Sequence, residues 1–178
     1  MSCSYTIEEL IAMPVMERYA AFRTIENIAE RRAVTAAVHK EIVLTWKQHP
    51  RWGGMAAHLV QDIHPYYRSG FERLLRACEA KRQVDKTKFR HLNNSLHHHH
   101  SIEDHAWFPR LKEGHEEFIP EIRQLEADHR NLVVLEKRVM TGDYAALVEF
   151  YYGLIDHLNR EEMITVPWLL DGTGALYF

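Results

Sequence analysis

The chain has 178 residues and a mass of 21.0 kDa, enough for one domain with a substantial core. Its 22 Lys and Arg against 25 Asp and Glu leave a net charge of −3, which gives no electrostatic basis for gripping a nucleic-acid backbone or an anionic membrane. Hydrophobic residues at 46% and charged residues at 26% match globular usage, and Cys3 and Cys78 alone cannot build a disulfide framework or a four-thiolate zinc site.

The N-terminus, MSCSYTIEEL, turns acidic by position 8 and has no basic-then-apolar run, so the sequence predicts a cytoplasmic protein without a leader. Helical periodicity recurs and strand alternation does not, which predicts an all-α fold. Thr6-x-x-Glu9 reads as a capping box on a short helix broken at Pro14, and a longer helix is expected from about Thr24 to Gln48. Residues 1–54 are thus an N-terminal helical extension, and residues 55–178 a four-helix bundle.

Four amphipathic segments make up that bundle. The first, from about Met55 to Arg82, aligns Ala57, Val60, His64, Tyr67, Phe71, Leu74, Leu75 and Cys78. The second, from about Asp85 to Lys112, aligns Phe89, Leu92, Leu96, His99, Glu103 and Ala106. The third starts near Pro120 and lines up Ile122, Leu125, His129, Leu132, Val133 and Met140. The fourth opens at Asp143, a good N-cap, and aligns Leu147, Tyr151, Leu154, His157, Glu161, Ile164 and Trp168.

Histidine is the compositional outlier, at 13 residues, and each apolar stripe carries one near its middle. From His99 the chain reads HHSIEDHAWFPRL and from His157 it reads HLNREEMITVPWL, a shared H-x-x-x-E-(D/E)-x-x-x-(F/V)-P-x-L. Each repeat follows a helix with one lone inward histidine, His64 or His129, so two helix hairpins present matching sets face to face. Residues i and i+4 share a helix side, so His99 with Glu103, and His157 with Glu161, offer an imidazole and a carboxylate to one point. Two buried carboxylates need cations, and mixed imidazole and carboxylate donors suit two non-haem iron ions with an oxo or hydroxo bridge. Zinc or manganese fits the same donors.

His99 is preferred over His98 and His100 because Leu92, Leu96 and Ala106 share its stripe. His58 and His97 fall on polar faces, Asp104 and Glu162 read as supporting or surface groups, and Tyr67, Tyr151, Trp107 and Trp168 read as packing. A ferritin-like site needs Glu-x-x-His on two helices, and only Glu126-x-x-His129 has that spacing.

With His64, His99, Glu103, His129, His157 and Glu161 in this order, the region from about Met55 to Leu170 resembles the hemerythrin-like, HHE cation-binding family of non-haem di-iron proteins. Within it, the ligand order is similar to the C-terminal domain of the bacterial iron-centre repair proteins, whose N-terminal paired cysteine has only Cys3 as a counterpart here. Oxygen-carrying hemerythrins have His-x-x-x-His in the third helix, whereas the neighbours one turn from His129 are Leu125 and Val133. On that basis the resemblance implies four imidazoles and two similar, unsaturated metals. It implies a protein that binds or reacts with dioxygen, nitric oxide or peroxide in sensing, stress response or iron handling. The alternative is a di-iron oxidase, oxygenase or peroxidase. The extension is the surface expected to meet a protein partner or a second copy.

Overall fold

The structure, a computed structural model, describes residues 5–172, and Cys3 lies outside them. Every regular element among them is helical: α1 (Ile7–Ala12), α2 (Val15–Arg23), α3 (Ile28–Trp46), α4 (Gly54–His58), α5 (His64–Glu79), α6 (Lys86–Ile102), α7 (Phe108–Gly114), α8 (Ile119–Thr141) and α9 (Tyr144–Asp171). A π-helical turn (Leu59–Ile63) joins α4 to α5, another (Glu103–Trp107) joins α6 to α7, and a 3-10 turn (Glu116–Phe118) precedes α8.

The capping box forms as expected, with Thr6 Oγ1 accepting from the Glu9 N–H and the Thr6 N–H donating to Glu9 Oε2. Pro14 separates α1 from α2. The buried Arg18 guanidinium then satisfies the carbonyls of Leu10, Ile11 and Met13, tying the end of α1 to α2. The helix expected from Thr24 starts later, at Ile28, because the Thr24 hydroxyl bonds the Ala21 carbonyl at 2.7 Å and closes α2. Asn27 caps α3 instead, accepting from the Glu30 N–H.

Helices α5, α6, α8 and α9 close an up-down four-helix ring in which α5 meets α6 and α9, and α8 meets α6 and α9. Asp85 caps α6 through the Lys88 N–H, and Asp143 caps α9 through the Ala146 N–H. Gly142 ends α8 at φ 103°, a left-handed position natural to glycine. Gly142→Ala is therefore expected to cost ~1 kcal/mol, which a melting curve reads as a drop of roughly 2–4 °C.

Both π turns run up to a proline, Pro65 and Pro109. A proline ring crowds the carbonyl four residues earlier, here Gln61 and His105, and the wider turn relieves that clash. One extra residue also rotates the inward face by about 100°, which explains two departures from straight-helix counting. Ala56 is buried rather than Ala57, and Trp107 rather than Ala106. In α8, Val133 lies on the exposed side.

The core is divided into two apolar clusters. One holds Tyr67, Phe71, Phe89, Leu96, Leu132, Phe150, Leu154 and Leu158, all from the bundle. The other joins Leu59, Phe108, Ile122, Leu125 and Ile164 to Leu10, Phe22, Val38, Ile42 and Trp46 of α1, α2 and α3. The N-terminal helices thus complete the core at one end and cover the outer side of α9, so α9 buries residues on nearly every face from His157 to Trp168. His64, His99, His100, Glu103, His129, His157 and Glu161 lie where, along their helices, one cluster gives way to the other. Among the described residues, no helix is long and apolar enough to cross a membrane.

Candidate metal centre

All six residues singled out from the sequence enter one polar layer. Its donor atoms form two groups, each with atoms within 4.8 Å of one another: His64, His99, Glu103 and Glu161 on one side, and His100, Glu103, His129 and His157 on the other. Glu103 belongs to both. Its Oε1 lies 2.9 Å from His99 Nε2 and its Oε2 lies 3.4 Å from His129 Nε2, so the carboxylate spans the groups. Glu161 spans them too, with Oε2 3.3 Å from His64 Nε2 and 3.6 Å from His157 Nε2.

His100 is the residue that sequence reasoning passed over. The run His97–His100 forced a choice of one inward position, whereas the helix turns two of them toward the layer. His100 continues the buried line Phe89, Asn93, Leu96 into Glu103, and its ring stacks on His129 at 3.8 Å between centroids. His99 sits beside that line, its ring stacked on Tyr67 at 5.3 Å and its side chain 12% exposed. The Phe89-Asn93-Leu96-His100-Glu103 spacing of fours and threes was the available signal. The groups are consequently unequal, with two imidazoles on one side and three on the other. His58 and His97 lie on the surface, paired with Asp62 and Glu136.

Tautomers follow from the supporting carboxylates. A carboxylate only accepts, so His64 Nδ1 carries the proton it donates to Glu162 Oε1 at 2.7 Å, and His129 Nδ1 the proton it donates to Asp104 Oδ1 at 2.9 Å. In the neutral rings Nε2 is then a bare lone pair aimed into the layer. Yet His64 Nε2 faces His99 Nε2 at 3.3 Å, and His129 Nε2 faces His157 Nε2 at 3.1 Å. Two lone pairs at that distance repel unless a proton or a cation lies between them.

The electrostatics show protons filling that role without metal. Burial pushes the His64 imidazole down, but Glu161 and Glu162 overcome it and hold the ring at about 10. Burial likewise opposes His129, which Asp104 and Glu103 raise to about 9. Burial pushes His157 down, and burial with the neighbouring His129 and His157 holds His100 well below its ordinary value, so both rings stay neutral donors. Glu103 sits well below the usual carboxylate range, because His99, His129 and His100 outweigh the burial that would raise it.

The residues fit a metal by a second test. Among the described residues, eight buried side-chain polar atoms have no well-aligned hydrogen bond, and five of them are His100 Nε2 and both oxygens of Glu103 and Glu161. Buried polar atoms are rarely left unpaired, and here the unpaired ones converge on each other. Five imidazoles, which are borderline donors, together with two hard carboxylates make a mixed set that suits first-row transition metals.

This is a four-helix bundle with a buried centre of histidines and carboxylates grouped as metal donors are. The model of the Hemerythrin HHE cation binding domain matches residues 55–169, and the chain belongs to that family. No curated protein and no solved structure matches it.

Proposed function

We propose that the centre holds two non-haem iron ions and that the protein binds dioxygen, nitric oxide or peroxide for sensing, stress response or iron handling in a cytoplasmic setting. His64, His99, Glu103 and Glu161 would hold one ion, and His100, Glu103, His129 and His157 the other. The observation that carries the reading is the sharing of Glu103 between two donor groups. Iron in such a centre supplies reversible electron transfer and an exchangeable position for a small ligand. This chain's residues do the rest. Glu162 and Asp104 fix the His64 and His129 tautomers, and the two apolar clusters exclude water above and below.

The unequal donor sets leave the His64 side with fewer nitrogens, which favours that side for the exchangeable position. That side is also the one with an edge to solvent. An open groove of about 320 Å³, lined by His58, Asp62, Ile63, Tyr66 and Tyr67, lies outside it. A groove so open admits a diatomic molecule but does not enclose an organic substrate, which favours ligand binding over oxygenase turnover.

Protein loaded with ferrous iron under anaerobic conditions is expected to retain about two ions per chain and to change its visible absorbance stoichiometrically with oxygen, nitric oxide or peroxide. Metal analysis and titration by absorbance check this. A single ion per chain, or two ions indifferent to all three ligands, overturns the reading.

A further inference from the structure

Each repeat carries a second acid after its spanning glutamate, Asp104 after Glu103 and Glu162 after Glu161. Each second acid holds the lone histidine of the other hairpin, Asp104 taking His129 and Glu162 taking His64. Their surroundings differ sharply. The Asp104 side chain is 35% exposed, so water serves its second oxygen, whereas that of Glu162 is 2% exposed. Glu162 must find every donor within the protein.

It finds them on two elements, α5 and α3. Oε1 accepts from His64 Nδ1 at 2.7 Å and from Arg68 at 3.0 Å, while Arg68 is itself held by Asn159 Oδ1 at 2.8 Å. Oε2 accepts from His39 Nε2 at 2.6 Å. His39 belongs to α3, outside the segment 55–169 that matches the family. Its ring meets Trp46 edge-on at 6.3 Å, and neighbouring Val38 and Ile42 are anchored in the shared core, so α3 presents the imidazole from a rigid base.

We infer that His39 is a positioning residue of the metal centre, acting through Glu162 to hold the His64 imidazole with Nε2 toward the ions. The N-terminal helices are then a working part of the centre rather than an attachment to it. Without the His39 donor, Glu162 Oε2 is a buried acceptor with nothing to accept from. The carboxylate then turns toward Arg68 or incoming water and loosens its grip on His64. The effect is local, because His129 is held by Asp104 at 2.9 Å and His157 Nδ1 faces Asp128 at 3.6 Å, neither touching Glu162.

This inference rests on the two-ion reading above, and its test separates the two. His39→Phe keeps an aromatic ring against Trp46 and donates nothing, whereas the His39→Gln amide can still reach Glu162. Full-length proteins loaded with ferrous iron are challenged with a graded chelator, following ion release and visible spectrum, with the melting of each metal-free variant as a fold control. His39→Phe is expected to weaken one of the two ions by ~10-fold and shift its absorbance, with the other ion held as in the wild type, and His39→Gln to recover most of the loss. If His39→Phe does not fold, His39→Asn, too short to reach Glu162, takes its place. Wild-type release in a chain that binds two ions, or equal weakening by Phe and Gln, overturns the positioning role alone. A wild-type chain that takes up fewer than two ions overturns the two-ion reading and this inference with it.

Discussion

Glu103→Leu is expected to empty both halves of the centre together. A ligand confined to one group would release one ion, but the Glu103 oxygens face His99 on one side and His129 on the other. Both ions lose a donor, and the charge separating them falls by one. Changes in residues behind the ligands already cost ~10–100-fold in metal affinity, so removing this shared ligand should exceed that range for both ions. Stability gives a second readout. An ion present at ~1,000 times its dissociation constant contributes about 4 kcal/mol, which for a chain of this size raises the melting temperature by roughly 10 °C. Wild-type protein should show that gain on iron addition and Glu103→Leu should not. Leu keeps most of the side-chain volume, so a variant that still folds without metal isolates the ligand effect. Retention of one ion with near wild-type affinity would show that Glu103 serves only one group.

The fold and most of the centre were legible because periodicity survives wherever the helix is regular. His129, His157 and Glu161 sit on uninterrupted stretches of α8 and α9, and counting in threes and fours places each inward. In the second helix the same counting found His99 and Glu103 and missed His100. Glu103 opens a π turn, and a short run of histidines surrounds the helix just before it, so the phase of α6 cannot be carried through from Ala106 back to His99. The buried positions Leu96 and His100 show the true phase before the turn, with His99 flanking it. His39 was illegible for a different reason. Its partner Glu162 is 123 residues away, and nothing in α3's own pattern marks one half-buried histidine as the donor to a carboxylate in another helix. Burial of Glu162 was equally hidden, because it follows from α3 covering α9 and not from the amphipathic pattern of α9 itself.

Whether His100 joins His99 as a ligand is settled by replacing each position of the run separately. With four imidazoles, His100 would be a packing residue and His100→Leu would leave metal content unchanged. With five, His100 is the third nitrogen donor of its group, and its loss should drop retained iron from about two ions to about one after dialysis against a moderate chelator. His99→Leu should release the ion held with His64 instead, and His98→Ala, at an exposed position, should release neither. The His100 and His99 variants also separate by ligand response. The remaining ion in His99→Leu has its three imidazoles and little room for an added ligand. The remaining ion in His100→Leu keeps His64, His99 and the edge toward solvent, so it should still change absorbance with nitric oxide. Far-UV circular dichroism of the metal-free proteins controls for folding. If His100→Leu retains two ions with wild-type affinity, the stacking of His100 on His129 at 3.8 Å is packing alone, and the centre returns to four imidazoles and two equivalent, less saturated ions.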